Sequence, residues 1–155
     1  MKGRKRFAVV DTPGLPIAVQ IQAASVQERD GAPPVIAQAK AKAPRLKHIW
    51  GDSGFAGQCV EKVRVETGIT LEIVKRPRQG DARSWVQEGT SPAPAQVGFK
   101  ILPRRWVVER SFGWLGRYRR HSKDYEATTE SSLAWIHIAF VRLLIQRMSD
   151  FETTR

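Results

Sequence analysis

A single carboxylate in a strongly basic segment is the first feature of this sequence that could support chemistry. Between positions 104 and 120 there are six arginines and one acid, Glu109. A helical salt bridge with Arg105, four positions earlier, would explain Glu109 and is worth roughly 0.3–0.5 kcal/mol. Alternatively, Glu109 binds a divalent cation beside a phosphate backbone that the arginines contact. A metal site of this kind needs partner carboxylates elsewhere in the chain.

Asp52 is the best candidate for such a partner. It follows the apolar segment Leu46–Trp50, which we predict to be a short buried strand, and glycines flank it. Acidic side chains just after a buried strand are common metal ligands in α/β sheets. An ordinary helix cap for the predicted helix 58–66 is the alternative explanation of Asp52.

Charge and composition restrict the function further. The chain has 155 residues and a formal net charge of +11, with a sequence pI near 10.5. This length favours one domain, and this charge favours a polyanionic partner such as nucleic acid or an anionic membrane surface. The apolar run after the basic first six residues is too short for a signal peptide, and Leu133–Ile145 is too short to span a bilayer. We therefore predict no membrane partner.

The cysteine and histidine content argues against a zinc site. Cys59 is the only cysteine, and none of the three histidines has zinc-ligand spacing with it. We predict a reducing, cytoplasmic location, with Cys59 as a small buried apolar residue and His137 as a core histidine.

The elements that would position the two acids follow from turn residues and periodicity. A β-hairpin is predicted at 6–11 and 15–23, and Pro33-Pro34 are predicted to open a helix that ends near Ala43. A strand at 46–50, a helix at 58–66 and a strand at 69–74 follow. This order predicts an α/β fold with a mixed sheet.

The carboxyl-terminal half is predicted to contain a mobile connection, 75–99, followed by helices within 103–148. In the first of these helices Val108, Phe112 and Leu115 form an apolar stripe, which would place Glu109 at the edge of the buried face. The last helix, Leu133–Met148, is predicted to pack across the sheet, with Thr129 or Ser131 as its cap.

Four blocks of sequence, in order, resemble those of bacterial insertion-sequence DDE transposases. They are Gly3-Arg4-Lys5-Arg6 before Val9-Val10-Asp11-Thr12, Gln27-Glu28-Arg29-Asp30-Gly31, Trp50-Gly51-Asp52-Ser53-Gly54-Phe55, and Trp106 to Leu115 continuing to Arg119-Arg120. The resemblance covers nearly the whole chain. It implies a ribonuclease-H-like fold, a mixed sheet flanked by helices, in which Asp, Asp and Glu bind two Mg²⁺ (or Mn²⁺) ions.

In this resemblance Asp52 is the second catalytic acid, Glu109 the third, and Arg105 the family's arginine. The implied reaction hydrolyses DNA at the element end and then joins the freed 3′-hydroxyl to target DNA. Two positions differ from the family's motif. Leu102 stands where a tyrosine is expected, and Gly116 stands where a basic residue is expected.

The family carries its first acid on a strand upstream of the Gly-Arg-Lys-Arg block. We therefore expect residues 1–155 to be a single, incomplete catalytic domain that lacks the first strand, is either truncated or half of a split frame, and is inactive alone. Asp11 and Asp30 are alternative sources of the missing acid. A turn-capping role explains Asp11 more simply.

DNA, both element ends and target, is the expected partner. The candidate phosphate contacts are Arg104, Arg105, Arg110, Arg117, Arg119, Arg120 and Lys123. A solvated basic face over a core that includes Trp114 is the alternative for this segment. An upstream-frame transposase segment and self-association through an exposed sheet edge are further expected interactions. The alternative function is a non-catalytic DNA-binding remnant or regulator of an intact transposase, with a basic RNA-binding protein as the third candidate.

Overall fold

A computed structural model describes residues 3–74 and 106–153, arranged as two small sheets and four helices. The elements in chain order are β1 (Arg4–Val10), β2 (Pro16–Ala23), α1 (Glu28–Lys42), β3 (His48–Gly51), α2 (Gln58–Thr67), β4 (Thr70–Ile73), α3 (Trp106–Gly116) and α4 (Thr129–Thr153). Short 3₁₀ turns lie at Ser53–Phe55 and Arg119–His121. The predicted mobile connection, 75–99, and the predicted DNA contacts Arg104 and Arg105 lie outside the described residues.

The first two strands form the predicted hairpin. They pair antiparallel, with Phe7 opposite Gln20, and Gly14 in the turn has φ of +90°, which favours glycine. The Leu15 amide donates to Asp11 Oδ1 at 2.7 Å. Asp11 therefore has the turn-capping role that its sequence context predicts.

The strands of the described residues form two separate sheets. β1 pairs with β2, and β3 pairs in parallel with β4, which gives two two-stranded sheets instead of one continuous mixed sheet. The α/β class is confirmed, whereas the ribonuclease-H-like arrangement of the sheet remains a prediction. The division leaves a gap between β1 and β3.

Helices cover both faces of the β1–β2 hairpin. Because side chains alternate along a strand, Phe7 and Val9 pack with α1 and α2 on one face, while Val19 and Ile21 pack with α3 and α4 on the other. The final helix therefore packs across the hairpin sheet, as predicted.

The start of α1 differs from the prediction. The helix begins at Glu28 and contains Pro33 and Pro34 in its interior, where they were expected to open it. Each proline removes an intrahelical hydrogen bond, but Pro33 is fully buried and Gly31 lies against the Phe7 ring. Tertiary packing of this first part of α1 against the hairpin thus outweighs the local stop signal.

The buried face of α3 agrees with the prediction only at Leu115. Val107, Ser111 and Leu115 are buried, Val108 is half-buried, and Phe112 is 36% exposed. The Ser111 hydroxyl donates to Gly14 O at 2.6 Å, which fixes this face of the helix on the hairpin turn. A buried serine held by a distant carbonyl cannot be recognised from apolar periodicity.

The last helix shows two further differences. The Ser131 amide donates to the Thr128 hydroxyl at 3.1 Å, so Thr128 provides the cap predicted for Thr129 or Ser131. His137 is exposed, and its prediction as a core residue is wrong because Ile136, Ala139 and Phe140 form the buried face. None of the described helices has the length and apolar character needed to cross a membrane.

Candidate active site

A cavity of about 700 Å³ fills the gap between the two sheets. Its walls are the β1 and β3 strands on two sides and the α1 and α3 helices on the other two. We call it the inter-sheet cleft. The lining residues used below are Lys5 to Thr12, Glu28, Val35, Ile36, His48 to Asp52, Val108, Glu109 and Phe112.

Asp52 lies at the carboxyl end of β3 and lines the inter-sheet cleft. Its Oδ1 accepts a hydrogen bond from the Gly54 amide at 2.9 Å, which caps the 3₁₀ turn Ser53–Phe55. Helix α2 instead begins after Gly57, without a side-chain cap. Asp52 therefore caps the 3₁₀ turn and not helix α2, which the sequence predicted it to cap. Its second carboxylate oxygen takes no part in the bond to Gly54.

Glu109 lies in the first turn of α3 and lines the same cleft. It is solvent-exposed, and Val108 and Phe112 beside it on the helix also line the cleft. Two of the three residues predicted as the buried stripe of α3, Val108 and Phe112, therefore line the inter-sheet cleft together with Glu109, whereas Leu115 is buried against α4. The two acids singled out in the sequence border one cavity.

The two acids lie near elements that contact different ends of β1. Ser111, two residues after Glu109, bonds to Gly14 beyond the end of β1. Asp52 lies near Glu28, the first residue of α1. Glu28 follows β2 in the chain, and Ala23 at the end of β2 pairs with Arg4 at the start of β1. Over residues 3–74 and 106–153, no three His, Cys, Asp or Glu side chains form a group that could hold a metal ion.

Glu28 is an acidic residue of the cleft that the sequence reasoning did not single out. A Cβ on Gly54 would overlap the Glu28 carboxylate and would lie 3.1 Å from Asp52 Oδ1. Glycine at position 54 therefore allows the two carboxylates to approach the same point of the backbone. The only sequence signal was the position of Glu28 within the Gln27–Gly31 block.

The basic side chains predicted to contact DNA differ in their surroundings. The Arg110 guanidinium stacks over the Trp106 ring, 4.3 Å from its centroid, and donates from Nη2 to Pro13 O at 2.7 Å. Trp114 is half-buried and packs against a core cluster that includes Ile136 and Phe140 of α4. The Arg147 guanidinium stacks over the Trp114 ring, 4.1 Å from its centroid. Arg110 is therefore a packing residue of α3 in this structure.

Arg120 is also engaged in the fold. It pairs with Glu126 Oε1 at 2.8 Å and lies over the Trp135 ring at 4.2 Å. The Ser131 hydroxyl, which donates to Glu126 at 2.7 Å, lowers the pKa of the Glu126 carboxyl, and Arg120 acts in the same direction. The Arg120 side chain is nevertheless 52% exposed, and Arg117, Arg119 and Lys123 are exposed as well.

Comparison with known proteins adds independent support for the resemblance. The family model described as "Transposase DDE domain" matches residues 1–144. A Burkholderia cepacia protein that bears the name of a transposase for insertion sequence element IS402 is 25% identical in an alignment of length 148 that covers 91% of this chain and 60% of that relative. The chain thus spans less than two thirds of the length of this relative. No solved structure gives a significant match. Because the family match covers most of the chain and includes Asp52 and Glu109, this chain belongs to the DDE transposase family.

Proposed function

We propose that this chain is part of the catalytic domain of a DNA transposase, which cuts DNA at the ends of an insertion sequence and transfers the freed 3′ end to target DNA. The observation that carries the proposal is that Asp52 and Glu109, which lie on separate elements and which the sequence resemblance assigns to catalysis, line one cleft. The exposed basic residues Arg117, Arg119 and Lys123 support DNA as the partner.

The donor chemistry of the inter-sheet cleft is suited to Mg²⁺ or Mn²⁺. Such ions take one or two carboxylates together with water and phosphate oxygens, and Asp52 and Glu109 would provide the carboxylates. Bound ions supply Lewis-acid activation of water and neutralise charge on the leaving oxygen. Asp52 and Glu109 would hold and orient these ions against the phosphodiester.

A two-ion site needs one more carboxylate than this pair. Our proposal is that the third acid comes from a separate polypeptide segment, so that this chain alone binds metal weakly and cleaves DNA little or not at all. Glu28 is close to Asp52 but belongs to a helix instead of the strand on which the family carries its first acid.

Metal binding by the purified chain tests the assignment. We expect Mn²⁺, titrated by electron paramagnetic resonance, to bind about tenfold more weakly to Asp52→Asn and Glu109→Gln, since each removes one carboxylate ligand. Glu61→Gln, which changes an exposed glutamate of α2, should bind like the unchanged chain. Equal affinity in all four proteins would contradict the assignment.

A plasmid-nicking assay with Mg²⁺ tests the expected inactivity. The unchanged chain should leave supercoiled DNA intact. Metal-dependent nicking that Glu109→Gln abolishes would show that the chain is active without a third acid from elsewhere.

A non-catalytic DNA-binding regulator is the second candidate. It is favoured by one observation, namely that Asp52 and Glu109 do not belong to a group of three side chains that could hold a metal ion in the described part of the chain. This candidate predicts DNA binding that neither Mn²⁺ nor Glu109→Gln changes, whereas the catalytic candidate predicts that Mn²⁺ strengthens binding only when Glu109 is present.

A further inference from the structure

Helix α4 has a second apolar face in addition to the one that it buries. Ile136, Ala139 and Phe140 are buried in the cluster that α4 forms with β2 and α3. Because each residue turns a helix by about 100°, Ile138 lies roughly 200° from Ile136 and thus on the opposite side of α4. Four apolar side chains on that side are 53 to 67% exposed, namely Ile138, Val141, Ile145 and Met148. We call these four residues the outer stripe of α4.

The spacing of the outer stripe is that of a helix–helix contact. Its members are three, four and three positions apart, and the exposed Ala134 continues the pattern by four positions towards the start of α4. Alternating steps of three and four keep side chains on one line along a helix, and two helices pack side by side with this pattern. A helix that is apolar on opposite sides is ordinarily covered on both, and exposed apolar patches mark interaction surfaces. The outer stripe is therefore suited to contact with another helix.

Basic side chains border one side of the outer stripe. Arg142 is exposed one turn after Ile138, and its guanidinium lies 5.8 Å from the centroid of the Tyr118 ring. Arg120 lies over Trp135, which is two turns before Arg142 and therefore on the same side of α4. The Arg120 side chain is 52% exposed. A helix with acidic residues beside its contact face would be attracted along this border.

The same charges disfavour a second copy of this chain as the occupant. The sequence of α4 contains no acidic residue from Ser131 to Ser149, and the chain carries a net charge of +11. Two copies paired through their outer stripes would bring two basic borders together without an acid to face them, and like charges beside a helix–helix contact disfavour pairing. An acidic partner would instead neutralise Arg142 and the exposed part of Arg120.

We propose that the outer stripe of α4 binds an amphipathic helix of a separate protein, and that acidic residues border the apolar face of this partner helix. With Ala134 included, the stripe is about 21 Å long, which corresponds to a partner helix of about 15 residues. Apolar side chains spaced by three and four positions would provide affinity, and the acidic border would provide selectivity. Among the described residues, none from α4 lines the inter-sheet cleft, so binding at the stripe does not depend on metal or on catalysis.

Peptide binding by the purified chain tests the proposal. The probe is a fluorescein-labelled peptide of three heptads with blocked ends. It has leucine at the two apolar positions of each heptad, glutamate at the positions beside them, and alanine and glutamine elsewhere. We expect fluorescence anisotropy to show that this peptide binds about tenfold more tightly than the same peptide with lysine in place of glutamate, because the basic border attracts the first peptide and repels the second.

Substitutions in the outer stripe show where the peptide binds. The double variant Ile138→Gln/Ile145→Gln should bind the glutamate peptide about tenfold more weakly, since both side chains lose apolar contact area. Val65→Gln, at a position that is 75% exposed on α2, should bind it like the unchanged chain. Arg142→Gln should reduce the preference for the glutamate peptide over the lysine peptide, whereas Arg64→Gln, at an exposed position of α2, should retain it.

Thermal unfolding followed by circular dichroism shows whether each variant is folded, and the two peptides on the unchanged chain decide the question if the double variant is not. Equal affinity for the two peptides, or binding of neither, would overturn the proposal. Unchanged binding in the folded double variant would place the peptide on another surface. A dimer of the unchanged chain that becomes a monomer in the double variant, measured by analytical ultracentrifugation, would show that a second copy covers the stripe. A loss of affinity for duplex DNA in the double variant would assign the stripe to nucleic acid instead.

Discussion

Arg4 shows how a residue in a basic motif can have a structural role. Its guanidinium pairs with Asp124 Oδ2 at 3.1 Å and donates to the carbonyls of Glu126, Ala127 and Thr128 at 3.0, 2.8 and 3.2 Å. These bonds attach the start of β1 to the segment that precedes α4. The Gly-Arg-Lys-Arg block therefore contributes to the fold, although its charge alone suggests only contacts with nucleic acid.

Removal of this guanidinium should destabilise the protein. We expect Arg4→Met to lower the free energy of unfolding by about 2–3 kcal/mol, because three carbonyls and one carboxylate lose a charged donor at once. Urea denaturation measures the change. Arg64→Met, at an exposed position of α2, is the matched control and should change the stability by less than about 0.5 kcal/mol. Equal stability of the two variants would show that solvent satisfies these carbonyls as well as Arg4 does.

At the scale of elements, turns and helix ends were predictable from the sequence because they depend on local residues. The hairpin follows from the Asp11–Gly14 turn, and α2 ends at Gly68, whose φ of +69° favours glycine. The start of α1 and the buried face of α3 were not predictable in the same way. Both depend on distant contacts, of Gly31 with Phe7 and of Ser111 with Gly14, that periodicity does not contain.

The candidate site was predictable to a similar extent. Sequence blocks identified Asp52 and Glu109, and the structure places both on one cavity. The contact between Glu28 and Gly54 arises from the packing of the start of α1 beside the end of β3. No local pattern in the sequence could indicate that contact, since the two segments are separated by a helix and a strand.

The 3₁₀ turn before α4 contains a histidine that should make stability depend on pH. Burial lowers the pKa of His121 below its ordinary value near 6.5, and the nearby charges of Arg6 and Arg120 lower it further, while a backbone hydrogen bond with Trp135 and the Glu126 carboxylate oppose the change. Between the folded pKa and about 6.5 the unfolded chain therefore binds more protons at this side chain than the folded chain does. The contribution of His121 to the free energy of unfolding is present above the pKa that this histidine has in the unfolded chain. It is lost as the pH falls through the lower pKa that the histidine has in the folded chain.

We expect the free energy of unfolding to decrease as the pH is lowered from about 7.5 to about 5.5, with a contribution from His121 of at most about 1.4 kcal/mol per pH unit. His121→Gln should remove this contribution. His137→Gln, which changes the exposed histidine of α4, should retain it. Urea denaturation at a series of pH values checks this, and the same pH dependence in His121→Gln as in the unchanged chain would exclude His121 as its source.

At the scale of the whole molecule, the basic side chains that give the net charge of +11 differ in their surroundings. Arg4 and Arg110 have partners within the fold and are only partly exposed, whereas Arg117, Arg119 and Lys123 are exposed. Arg120 has a partner, Glu126, and is exposed as well. Only charges that reach solvent can neutralise DNA phosphates and release counterions. The structure thus divides one basic segment into residues that stabilise α3 and α4 and residues that are available to DNA.

The salt dependence of DNA binding distinguishes these two sets of arginines. We expect the affinity of the unchanged chain for duplex DNA to fall linearly with salt on a double-logarithmic plot, and Arg119→Gln to reduce the slope by roughly 0.9, the value for one phosphate contact. Arg110→Gln should leave this slope unchanged but lower the melting temperature, because its guanidinium bonds to Pro13 and stacks on Trp106. Fluorescence anisotropy over a range of salt concentrations, with Arg64→Gln as the control on α2, measures the slopes. An affinity for DNA that does not respond to salt would refute phosphate contacts altogether. A reduced slope in Arg110→Gln together with an unchanged melting temperature would show that Arg110 leaves the hairpin turn to bind DNA.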